Sequence, residues 1–219
     1  MYKSHNSIET PNNETIIWKY MDMWKFLDLI ESKELYLNRA DLFDDNYEGR
    51  YPGKDQISNE LSKFDIKLKN KRFLTCFSEC AIENFSMWKI YTNDLYGIAI
   101  KTNIKNLIDS MKNDTNDVMI GRVEYLNTEK SYIINFENTQ VLKNYFTKRK
   151  YFEYEREIRI LSGLVINVND IKGLRIKVDI NTLIDEIYIS PFSTDNIKNL
   201  IELKLNDIGL VKKVRKSKI

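Results

Sequence analysis

The segment Phe152-Glu153-Tyr154-Glu155-Arg156-Glu157-Ile158-Arg159-Ile160 is the part of this chain best equipped for chemistry. Read as an extended strand, it sends alternate side chains to opposite faces. Glu155, Glu157 and Arg159 then share one face, while Phe152, Tyr154, Ile158 and Ile160 point the other way and feed a core. Two carboxylates beside a guanidinium suit proton transfer or the stabilisation of developing positive charge. Burying them is costly without a purpose. The plain alternative is the solvated outer face of an antiparallel sheet. Histidine contributes nothing, because the sole one, His5, lies in a polar N-terminal stretch. That excludes Ser-His-Asp and Cys-His nucleophiles and leaves carboxylates, Tyr, Lys and Arg to carry any reaction.

Three other stretches have suitable residue types. Leu42-Phe43-Asp44-Asp45-Asn46-Tyr47-Glu48-Gly49 sets three acids and an Asn between aromatics. It reads as a loop that positions a ligand or metal, or as a turn whose Asp and Asn bond their own backbone. Trp88 and Tyr91, three apart on an expected helix, offer an aromatic wall for a flat ligand. Core packing accounts for the same spacing. Lys212, Lys213, Arg215, Lys216 and Lys218 make a basic end that reads as a solvated tail in preference to a phosphate-binding arm. No Gly-rich phosphate loop or dinucleotide fingerprint occurs. Cys76, Cys80 and His5 are too few soft ligands for zinc, and the cysteines read as reduced thiols.

The elements that must position these groups follow from patterning. The 219 residues are 42% hydrophobic and 30% charged, with 7 Gly and 3 Pro, enough for one sizeable folded domain without linkers. A net charge of +2 does not by itself imply a nucleic-acid partner. Strands are expected at 16–20, 35–37, 73–78, 96–101, 118–126, 154–161, 174–180 and 186–190. Helices are expected from an Asp22 cap through Ile30, and at 54–67, 85–91, 104–111, 136–150 and 197–205. Early mixing of strands and helices, then a late run of strands, predicts an α+β fold: a mixed or antiparallel sheet, split in two or not, flanked by helices. Residues 1–14 read as a flexible tail, 15–211 as a single globular domain and 212–219 as a basic tail. No stretch reaches the length of a membrane span and no apolar signal core precedes the domain, so the expected home is the cytoplasm.

In their order, these segments resemble a bacterial domain-of-unknown-function family, number twenty-nine seventy-one. Its members show Tyr-Lys-Tyr, a helix, Leu-Tyr-Leu and Phe-Asn-Asp-Pro-Phe-Glu, matched here by Trp18-Lys19-Tyr20, Leu35-Tyr36-Leu37 and Phe43 to Glu48. Cys-Phe-Ser and Met-Trp-x-x-Tyr follow as Cys76-Phe77-Ser78 and Met87-Trp88 with Tyr91. Lys148, Phe152 and Tyr-Glu-x-Glu-x-Arg come next, with Glu186 to Pro191 closing the series. In the acidic loop Asp45 keeps the family's Asp, whereas Asn46 replaces its turn-fixing Pro.

The layout is also similar, in order alone, to ADP-ribosyltransferases, which place a basic or His residue on a first strand, a Ser on a later core strand and a Glu on a late strand. Lys19, Ser78 and Glu157 fall in that order. The resemblance implies NAD as a substrate, Glu157 as the carboxylate facing the reacting sugar and Glu155 as base or orienter of an acceptor. It further implies Lys19 at the pyrophosphate, Ser78 supporting the Glu, and Tyr36, Trp88 or Tyr91 stacking on a ring. Arg159 binds in the same site, and Asp45, Glu48 and Lys148 support it. A macromolecular acceptor and a toxin or phage-defence role would suit such an enzyme. Two other classes compete: a Mg²⁺-dependent nuclease or phosphoesterase built on Asp44, Asp45, Glu48, Glu155 and Glu157, and a non-catalytic module binding through its aromatic residues.

Overall fold

The computed structural model describes residues 1–43, 68–127, 142–165 and 171–219. The fold is α+β, with a mixed sheet and flanking helices. The chain groups into two compact units. The first comprises Met1–Pro11, Tyr36–Cys76 and Thr115–Arg175; the second comprises Asn12–Leu35, Phe77–Asp114 and Ile176–Ile219.

In the second unit, the β-branched and aromatic run of β1 (Ile16–Asp22) suits a buried strand. It pairs antiparallel with β4 (Gly97–Asn103) from Ile16↔Asn103 to Asp22↔Gly97. Its other edge meets the end of β3 (Phe73–Glu79), with Trp18 opposite Ser78. β10 (Glu186–Ile189) adds antiparallel to β4, and β11 (Lys213–Lys216) adds parallel to β10. The basic end is therefore a strand: Val214 is buried and Arg215 pairs with Glu186. Helices α1 (Met23–Ser32) and α2 (Phe85–Tyr91) pack on β1, α3 (Ile104–Ser110) on β4, and α5 (Asp195–Asp207) on β11; α4 (Ile180–Leu183) lies against α3. Asp22 does precede α1, but its carboxylate accepts the Asn93 N–H at 2.7 Å rather than capping the helix. Asn103 caps α3 through the Asn106 N–H at 2.8 Å.

The first unit carries the acidic segment. There β5 (Val118–Arg122) pairs antiparallel with β8 (Glu157–Ser162), from Val118↔Ser162 to Arg122↔Ile158. The chain then breaks step at Val123 and continues as β6 (Glu124–Leu126), so the strand expected over 118–126 is two. β6 pairs parallel with β7 (Thr147–Arg149), setting Tyr125 opposite Lys148. Of the helix expected over 136–150, the described residues Leu142 and Lys143 are helical; the chain then turns through a 3-10 turn at Asn144–Phe146 into β7. All three residues of that turn are buried, and pairing with β6 outweighs helix propensity. The helix expected over 54–67 lies outside the described residues.

The expected N-terminal tail is docked. Lys3 N–H donates to the Val118 carbonyl at 2.8 Å, Val118 N–H to Met1 at 3.1 Å and Arg122 N–H to Glu9 at 2.9 Å. Ile8 joins a core with Ala40, Leu74, Tyr145, Phe146 and Leu161. Gly121 permits this approach, since a Cβ there would sit 2.2 Å from Ile8 Cγ2.

Candidate active site

The segment expected as one strand over 154–161 is in two conformations. Lys150–Glu155 forms a 3-10 turn, Arg156 takes a left-handed conformation (φ 45°, ψ 54°), and β8 starts at Glu157. Glu155 is thus off the strand, and Tyr154 is exposed rather than in the core. The reversal at Arg156 nevertheless leaves both carboxylates on one cation. Lys148 Nζ donates to Glu155 Oε2 at 2.6 Å and to Glu157 Oε1 at 2.9 Å. Arg159 Nε donates to Glu157 Oε2 at 2.6 Å, and its Nη1 donates to the Tyr145 carbonyl at 2.8 Å. Tyr125 Oη accepts the Glu157 N–H at 2.8 Å.

Every residue of β8 is buried, which removes the solvated-face reading. Glu155, Glu157 and Arg159 are 2%, 5% and 1% exposed. Two carboxylates and two cations balance in charge, and each is held by hydrogen bonds, the condition under which buried ions persist. The carboxyls still titrate far apart. Burial pushes Glu155 up to about 7, helped by its hydrogen bond with Glu157 and that neighbour's charge, against the pull of Lys148. Burial opposes ionisation of Glu157 as well. There the charge of Arg159, the hydrogen bond from Glu155 and the charge of Lys148 win, and hold it well below the usual carboxylate range. Near neutral pH, one group stays negative while its neighbour can gain or lose a proton, a division of labour suited to acid–base chemistry. Burial and the nearby carboxylates keep the Tyr125 phenol protonated throughout this range.

Of the residues singled out by sequence, Lys148, Glu155, Glu157 and Arg159 are brought together. Tyr36 belongs to the same unit, with its ring 5.6 Å from the Arg175 guanidinium and against Gly173. Lys19, Ser78, Trp88 and Tyr91 belong to the second unit. Lys19 Nζ is 5.1 Å from the Phe77 ring centre, and Ser78 is buried. Trp88 is sealed in a cluster with Trp18, Tyr20, Met87 and Ala99, its indole N–H donating to Glu83 at 3.1 Å, whereas Tyr91 is 37% exposed. Asp45 and Glu48 lie outside the described residues. Among the described residues, no group of three or more His, Cys, Asp or Glu side chains is placed to hold a metal ion. Nor is any helix among them long and apolar enough to cross a membrane. Sequence reasoning missed Tyr125 and Tyr145. The first depends on a parallel pairing with a distant segment, and the second contributes only its carbonyl; neither leaves a local pattern.

No curated protein matches this chain. A solved structure of DarT from Thermus sp. 2.9 in complex with NAD+ is similar at 11% identity and a TM-score of 0.44, covering 95% of this chain and 98% of that one. Residues 87–160 match the sequence profile of a family described as "Protein of unknown function (DUF2971)", and the matched stretch holds all of Lys148, Glu155, Glu157 and Arg159.

Proposed function

We propose that this chain cleaves NAD+ between nicotinamide and ribose and transfers the ADP-ribosyl group to an acceptor. The observation that carries the reading is the buried cluster of Lys148, Glu155, Glu157 and Arg159. As the glycosidic bond breaks, its electron pair leaves on neutral nicotinamide and the sugar carbon becomes cationic. A carboxylate fixed in its ionised form favours that state over the uncharged ground-state sugar, and Glu157 is so fixed. When the acceptor hydroxyl adds to the sugar carbon it must lose its proton, and Glu155, titrating at about 7, receives it. Arg159, which acts on Glu157, helps keep the two carboxyls apart in pKa, and Lys148 holds both in place. NAD+ enters the reading through the order of Lys19, Ser78 and Glu157 along the chain, which is that of ADP-ribosyltransferases. The compartment that fits is the cytoplasm, where free thiols such as Cys76 and Cys80 stay reduced.

The test is nicotinamide release from NAD+ by the full chain. Glu157→Gln keeps the shape and removes the charge, so the rate should fall by about two to three powers of ten, with ligand affinity less affected. A wild-type chain that releases no nicotinamide, alone or with candidate acceptors, defeats the proposal. Mg²⁺-dependent nucleic-acid cleavage lost in the same variant would select the nuclease reading instead.

A further inference from the structure

The carboxylates proposed to react are almost sealed: the side chains of Glu155 and Glu157 are 3% and 4% exposed, and that of Lys148 is 7% exposed. A proton entering or leaving Glu155 needs a route. A described neighbour reaches both the carboxyl and the outside. Tyr154 is 43% exposed, and its hydroxyl hydrogen-bonds the Glu155 carboxyl. We infer that Tyr154 is the outer end of the cluster, a positioning residue through whose hydroxyl protons pass between Glu155 and whatever occupies the surface beside it. The inference rests on the function proposed above for the part that concerns delivery during reaction.

The other described groups known to face Glu155 are engaged elsewhere. Lys148 on β7 donates to both carboxyls and is cationic; Glu157 on β8 is held ionised by Arg159. Tyr125 on β6 is close enough to feel the charge of Glu155, but its oxygen accepts the Glu157 backbone N–H, and burial raises its pKa. Among the described residues, Tyr154, from the same 3-10 turn as Glu155, combines a hydrogen bond to it with an exposed ring. The transfer is balanced: as the Tyr154 O–H proton moves to Glu155, the phenol oxygen takes a proton from the acceptor hydroxyl or from water, so tyrosine begins and ends neutral. Exposure also makes Tyr154 suited to touch the acceptor directly, which none of the buried groups can do as they stand.

Tyr154→Phe tests this with the full chain, because it removes the hydroxyl and keeps the exposed ring. The Tyr154 hydroxyl donates to the ionised carboxyl, so its loss should raise the Glu155 titration midpoint by about one pH unit. The readout is the carboxyl resonance of ¹³C-labelled glutamate, assigned through Glu155→Gln, and it needs no NAD+. The pH profile of nicotinamide release should move by the same amount in the same direction, and Tyr154→Phe should add nothing further in a Glu155→Gln background. An unmoved midpoint overturns the inference while leaving the transfer reaction standing. A moved midpoint with an unmoved profile overturns the delivery role. A wild-type chain inactive at every pH fails the proposed function and takes the delivery role with it, even where the midpoint moves.

Discussion

Around Trp88 the second unit closes on rings. Tyr20 meets Trp88 edge-on with centres 5.1 Å apart, Trp18 stacks beside Tyr20 at 6.3 Å, and Met87 and Ala99 fill the remainder. Around Glu157 the first unit closes on charge, although Arg159 is as fully sealed as Trp18 and Trp88. A ring cluster stabilises through area removed from water and edge-to-face geometry, and it tolerates small shifts. A charge cluster has no such tolerance, since each ion has left water and depends on its partner's position. An apolar filling of similar volume is often as stable or more so, so burying four ionisable side chains in the first unit needs a reason other than stability. On the function proposed above, the contrast fits the first unit as the seat of chemistry and Trp88 as part of the frame.

The contrast breaks most decisively at Lys148. Lys148→Met would leave two carboxyls with one cation between them, and urea unfolding should register a loss of about 3–5 kcal/mol. Adding Glu155→Gln should recover part of that loss, because the orphaned charge is then gone. A neutral Lys148→Met would mean that the four groups do not act as a unit. Next comes Trp88→Phe, which keeps an aromatic ring but removes the N–H donated to Glu83 and some volume. A loss of about 2 kcal/mol is expected, from a hydrogen bond to a carboxylate together with partial loss of packing. Nicotinamide release measured on the folded fraction should be nearly unchanged.

The most gradual effect is the dependence on pH, which is smallest over any single pH unit. Glu155 titrates at about 7 in the folded chain against an ordinary 4.5, so the folded state holds this proton more tightly than the unfolded state. Its stabilisation is complete below about pH 4.5 and declines as pH rises towards 7, by at most about 1.4 kcal/mol per unit. Glu157 behaves oppositely: its contribution is present above the ordinary carboxylate value and is lost as pH falls through its depressed pKa. Melting temperature across this range should therefore show a decline from weakly acid to neutral pH that Glu155→Gln abolishes. An unchanged decline in that variant would assign the slope to other groups.

The strand pattern, the acidic segment and Lys148 were legible in the sequence because they depend on local alternation and on residue types rarely set together. Core strands with β-branched and aromatic runs, such as β1 and β4, were legible for the same reason. The left-handed Arg156 was not, because arginine is not a residue that announces such a conformation, and simple alternation put Glu155 on the right face by the wrong geometry. The parallel β6–β7 pair was equally hidden: the two segments lie far apart in sequence, and 3-residue strands carry no periodicity. Asp22 was read as a cap from its place before a helix, but it found a better donor in Asn93 on another loop. The N-terminal stretch looked frayed because its composition is polar, whereas its docking uses backbone groups and one isoleucine.

That docking has a consequence for how copies of this protein behave towards one another. β5 lies against β8 on one side, and on its other side a free edge would present Val118 N–H and carbonyl together with the Arg122 N–H as a template for a strand from another molecule. The segment from Met1 to Thr10 occupies those groups itself, down to the Thr10 hydroxyl on the Ile120 carbonyl at 2.7 Å. Ile8 fastens it over the bare backbone of Gly121. The polar start of the chain thus acts as a built-in edge guard, keeping the sheet that carries the buried charges from being extended by a neighbour.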